Sequence, residues 1–120
     1  MTQHRIRLAE VTEVHEPENA VSMRPLVSRA SHGGDLSMTW IRLDGLHRPL
    51  RTDSSTRVYY LLEGSASFTV GDERPFEAVA GDTVVIPRGV VYAFEGQMTY
   101  LCINGPAFAD GDDIYDLEED

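Results

Sequence analysis

With 120 residues, 42% of them hydrophobic, the chain can fill one core and not two. Its net charge of −10 gathers at one end, where seven of the twenty acidic residues lie between Asp110 and Asp120, leaving thirteen acids against ten arginines before them. No basic face remains to displace counterions from phosphates, which excludes nucleic-acid binding, and the absence of lysine excludes Schiff-base chemistry and a lysine general base.

Ten glycines and six prolines point to a turn-rich, all-β fold. The opening MTQHRIRLAE lacks the apolar core of a signal peptide, and no apolar run approaches the roughly 20 residues that cross a bilayer, so a soluble cytoplasmic protein is expected. Cys102 is the single cysteine and is expected as a buried free thiol. Strand signals are weak at HRIRLAEV and around SMRPLVS. DLSMTWIRL alternates and is expected to end in a turn at Asp44-Gly45, with Trp40 and Arg42 in phase on one face. RVYYLLE and SASFTV, parted by Gly64, read as two adjacent antiparallel strands. A turn at Val70-Gly71-Asp72 follows, then PFEAVAGD, TVVIP, VVYAFEG and MTYLCIN. Roughly seven to nine short strands result, the spacing of a sandwich or barrel. Residues 1–109 form the expected domain, and the charged stretch 110–120 is expected to leave it as a solvated tail.

Two motifs are more specific. Gly45, Arg51-Thr52-Asp53, Arg57 and Gly64 keep one set of intervals, and Gly81, Pro87-Arg88-Gly89, Tyr92 and Gly96 keep another. Over roughly Asp35 to Asn104 the chain resembles a small single-domain bacterial cupin, and VYYLLEG and AGDTVVIPRGV carry much of the likeness. The resemblance implies a double-stranded β-helix, the jelly-roll barrel of that superfamily, assembled as a homodimer. In most cupins the equivalent positions carry two histidines, a glutamate and a third histidine that bind a metal. Here Arg51, Asp53, Arg57 and Tyr92 replace them, and a guanidinium repels a cation, so no metal and no other cofactor is expected. A displaced site from His47, His32 and Asp53 is the alternative.

A barrel mouth with Arg51 and Arg57 suits a small anionic metabolite, because guanidinium pairs bidentately with carboxylate or phosphate. Tyr59, Trp40, Arg42 and Phe94 complete the expected binding surface. Tyr92, its pKa lowered by neighbouring arginines, and Asp53 are the candidate acid and base. The expected function is a metal-independent isomerase, cyclase or dehydratase of small-molecule metabolism, with no nucleic-acid or membrane partner. A ligand-binding or sensor protein without chemistry, and a metalloenzyme with displaced ligands, are the alternatives.

Overall fold

The computed structural model describes residues 3–115 and 117. Eight strands run β1 (Val14–Glu16), β2 (Val21–Val27), β3 (Ser37–Thr52), β4 (Thr56–Val70), β5 (Phe76–Val79), β6 (Thr83–Ile86), β7 (Tyr92–Gly105) and β8 (Asp113–Ile114). Helix is limited to single turns, of which α1 (Arg29–His32) is held by reciprocal capping between Ser28 and Ser31. Every pairing is antiparallel, in the order β1-β2-β3-β7-β4-β5, with β6 beside β4 and β8 beside β3. Among the described residues no pairing joins β5 to β1. The structure is an antiparallel sheet folded over one core, and strand pairing among the described residues does not close it into the expected barrel. None of its helices is long and apolar enough to cross a membrane.

The sequence pattern misplaces strand ends at three glycines. Gly45, Gly64 and Gly96 were expected to separate strands, but β3, β4 and β7 run through them for 16, 15 and 14 residues. Gly45 faces Gly96 across the β3–β7 ladder, and Gly64 faces Met98 across β4–β7. A Cβ on Gly64 would overlap the Gln97 carbonyl oxygen, and one on Gly96 would overlap that of Ser65. These glycines mark the bend where the long strands cross closely, which is the other meaning of an isolated glycine in a strand.

Alternation places the core. On β7 the even positions Tyr92, Phe94, Met98, Tyr100, Cys102 and Asn104 are all buried. On β3 and β4 the inward parity switches at a bulge, between His47 and Leu50 and between Leu61 and Glu63. Phe68 and Phe94 stack at 5.0 Å in the centre of the core.

The expectation of a tail leaving the domain after residue 109 is corrected at residues 113–115. Asp113 and Ile114 pair with Thr52 and Arg51 of β3, and Tyr115 packs against the core. Asp113 supplies the counter-charge that buried Arg57 requires. Asp112 closes a turn back onto Ala109 and Leu117 lines a cleft, while residues 116 and 118–120 lie outside the described residues.

Candidate functional site

A cavity of about 250 Å³ lies beneath β1, β2 and the Asp113–Tyr115 segment. That is the space of about eight waters. Val21, Met23, Val27 and Ile41 give it an apolar wall, while Glu16, His47, Arg57, Tyr59, Asn104 and Asp113 give it a polar one. A broader cleft of about 930 Å³ lies against the 71–73 and 87–91 turns. Tyr92 lines that cleft, but the buried polar side chains of His47, Arg57, Tyr59 and Asn104 converge on the smaller cavity, so the smaller one is the candidate site.

Arg57, on β4, is the centre of the polar wall. Its side chain is 4% exposed and donates from Nε to Asn104 Oδ1 at 2.6 Å, from Nη1 to Tyr92 Oη at 2.8 Å and from Nη2 to Asp113 Oδ1 at 2.7 Å. Tyr92 Oη lies 2.6 Å from Tyr59 Oη, so an arginine and two phenols form one hydrogen-bonded chain. Burial pushes the Tyr92 hydroxyl up to about 12, against the pull of Arg57, and pushes Tyr59 well above the usual phenol range. The expectation of a Tyr92 acidified by arginine is thereby corrected, since desolvation of the phenolate outweighs one cation that is already paired.

His47 comes from β3 in phase with Ile41 and Leu43, and its ring stacks on Phe94 at 4.7 Å. Burial lowers its pKa below 6.5, outweighing the Arg48 carbonyl and the Asp113 and Glu16 carboxylates, so the ring is neutral near pH 7. Nδ1 lies 3.0 Å from the Arg48 carbonyl oxygen, which can only accept. The neutral tautomer therefore carries its proton on Nδ1 and a lone pair on Nε2, which has no partner among the described residues.

Both chain ends are tied to this site through Asn19, which is fully buried. Its Nδ2 donates to Glu16 Oε1 at 2.5 Å and to Tyr115 Oη at 3.0 Å, and its Oδ1 accepts from Arg48 Nε at 2.8 Å. The Arg48 guanidinium lies over the Tyr115 ring at 4.1 Å.

Of the residues expected in the site, Arg57 and Tyr59 line the cavity, Tyr92 is joined to them, and Phe94 packs under His47. Four do not reach it. The bulge after His47 turns Leu50 and Thr52 inward, so Arg51 and Asp53 face outward and pair with each other at 3.0 Å. Asp53 cannot serve as the base there. Trp40 and Arg42 are out of phase with the inward Thr39, Ile41 and Leu43; Arg42 instead meets Glu13 at 3.3 Å on the exterior. The expected anion site also loses its basis, because Arg51 is outside and the charge of Arg57 is matched by Asp113. His47, His32 and Asp53 do not converge: His32 bonds to Ser31 and to the Gln3 carbonyl, and no three His, Cys, Asp or Glu among the described residues are grouped to hold a metal. Cys102 lines the cavity as a buried thiol, its pKa pushed up to about 11 by desolvation, and is no nucleophile.

His47 enters the sequence reading only as a candidate metal ligand, and Glu16, Asn19 and Asp113 do not enter it as site residues. Parity counted through Gly45 would have found His47. Nothing local announces the others, whose roles depend on contacts between distant segments.

No protein-family model matches the chain, and no curated protein sequence does. Solved structures match closely in shape. A Streptomyces Pac13 variant with uridine superposes with a TM-score of 0.80 at 16% identity, over 94% of this chain and 89% of that one. Pac13 is described as a unique nucleoside dehydratase. Its matched variants carry a tyrosine-to-phenylalanine change at either of two positions or a histidine-to-glutamine change. KdgF from Halomonas sp. follows with a TM-score of 0.79 at 16% identity, over 91% of this chain and 98% of that one. Oxalate decarboxylase from Bacillus subtilis gives 0.78 at 19% identity, but the chain spans only 32% of its length. The likeness establishes the fold alone: this chain adopts the antiparallel β fold of these structures.

Proposed function

We propose that this protein is a metal-independent acid–base enzyme of dehydratase type, acting on a small molecule held in the cavity. One observation carries the reading: a neutral histidine with an unpartnered Nε2 shares a mostly apolar cavity with Arg57 and Tyr59, which Tyr92 links by hydrogen bonds from behind the wall. Nε2 of His47 takes a proton from a carbon next to a carbonyl. The electron pair forms a carbon–carbon double bond as the hydroxyl on the next carbon departs, and that hydroxyl leaves as water with a proton from Tyr59. Tyr92 passes its proton to Tyr59, and Arg57 stabilises the phenolate charge until the imidazolium proton returns. Two tyrosines and a histidine are also the residue types altered in the matched Pac13 variants, which supports the assignment. Metal independence is supported by Arg57 at a position that carries a metal ligand in most cupins, because a buried guanidinium opposes a cation.

The test is a panel of β-hydroxy aldehydes and ketones of sugars and nucleosides, followed by the ultraviolet absorbance of the conjugated product. Turnover by the parent chain that is lost in His47→Gln supports the reading. Binding of panel members with no turnover of any of them overturns it in favour of a ligand-binding protein.

A homodimer is part of the same proposal. Two outward rows cross four strands in register, Met38–Ile103–Val58–Val85 and Trp40–Leu101–Tyr60–Thr83. All eight side chains are partly or fully exposed, on a face about 15–20 Å wide. A second copy of this chain covers it without placing any charged group of the rows in the contact.

A further inference from the structure

The polar wall of the cavity has its hydrogen-bonding capacity distributed unevenly. Each nitrogen of Arg57 makes one hydrogen bond, to Asn104, Tyr92 and Asp113, and the bond to Asp113 matches its charge. Arg48, the nearest other cation, is held over the Tyr115 ring and by Asn19, and does not line the cavity. The acceptors are in surplus. Asp113 uses Oδ1 on Arg57 and Glu16 uses Oε1 on Asn19, while the second oxygen of each has no partner among the described residues. A third acceptor is independent of the carboxylates: His47, 7% exposed and lining the cavity, presents Nε2 without a partner.

We infer that the cavity selects an uncharged ligand rich in hydroxyl or N–H donors, received by Glu16 and Asp113, and rejects phosphorylated or carboxylated counterparts. The inference rests on the reading of this cavity as the substrate site and deepens it by naming the ligand class. Each ligand donor meets a carboxylate oxygen that otherwise lacks a partner. An added phosphate or carboxylate would sit beside Glu16 and the Asp113–Arg57 pair, whose charges cancel, and so would meet one net like charge with no free cation on the cavity wall. The selection is a repulsion built into the wall as much as an attraction.

The experiment is calorimetric binding to the full chain with matched probes that lack the carbonyl the proposed dehydration needs: uridine against uridine 5′-monophosphate, and myo-inositol against myo-inositol 1-phosphate. In each pair the neutral member is expected to bind more tightly by roughly tenfold or more. Glu16→Gln removes one repelling charge from a partly exposed position and should narrow that ratio several-fold. Asp113→Asn leaves the buried Arg57 charge unmatched and should bring the anionic member to parity or beyond. Equal or tighter binding of the anionic probes to the parent chain overturns the inference, as does failure of both neutral probes to bind at about 10 mM. Because none of these probes turns over, the outcome is separate from whether dehydration is found.

Discussion

His47 sets the pH behaviour of the site. As a base it must be unprotonated, and burial holds its pKa below 6.5. Turnover is expected to rise with pH through that lowered value and to be level from neutrality upward, because Tyr92 keeps its proton until about 12. A pH–rate profile still climbing above pH 7 would contradict this assignment. Stability follows the same sign. The folded-state pKa lies below the unfolded value, so below about 6.5 the unfolded chain binds a proton that the native ring resists. The stabilisation is present above that pH and is lost as pH falls through the folded pKa, and His47→Gln should remove this part of the acid dependence of the melting temperature. Tyr92→Phe leaves Arg57 Nη1 and Tyr59 Oη without their partner. It is expected to cost about 1–3 kcal/mol of stability in denaturant titrations and about 10²–10⁴ in kcat. Arg57, Tyr59 and Tyr92 were legible in the sequence because uninterrupted alternation carries them inward. Arg51 and Asp53 were misread because the two-for-one bulge at Arg48-Pro49 reverses parity, and motif spacing does not show a bulge.

At the scale of elements, the three long strands act as single members that pass from one half of the molecule to the other. Gly96→Ala forces either the β7 backbone or the Ser65 carbonyl to move. Its expected cost is about 2–4 kcal/mol by chemical denaturation, the range of steric strain in a buried backbone crossing. A change under about 0.5 kcal/mol would show that the crossing is loose. The positions of the turns at Gly71 and Pro87–Gly89 were readable, since they coincide with true chain reversals or gaps between strands. The segment after Ala109 was not. Its acidic composition reads as solvated chain, yet one acid in it is the partner of the most buried arginine, and only the fold brings residues 57 and 113 together.

For the molecule as a whole, all-β character and a single core followed from composition and alternation, and the two motif spacings pointed to the correct fold. The eight strands fall within the expected seven to nine, but the strand ends expected at Gly45, Gly64 and Gly96 did not follow, because these glycines bend strands without ending them. The proposed homodimer rests on the exterior. Val85 is 57% exposed and Tyr60 40%, in the two apolar rows. Val85→Asp is expected to shift the particle from dimer to monomer by light scattering while leaving ligand affinity unchanged, since Val85 does not line the cavity. The chain's only tryptophan, Trp40, stands in that same outer face between Arg24 and Arg42, at 5.6 and 5.8 Å from its ring. Intrinsic fluorescence is therefore a built-in gauge of subunit contact: dilution should red-shift its emission as the ring meets water, whereas filling the cavity should leave the spectrum in place.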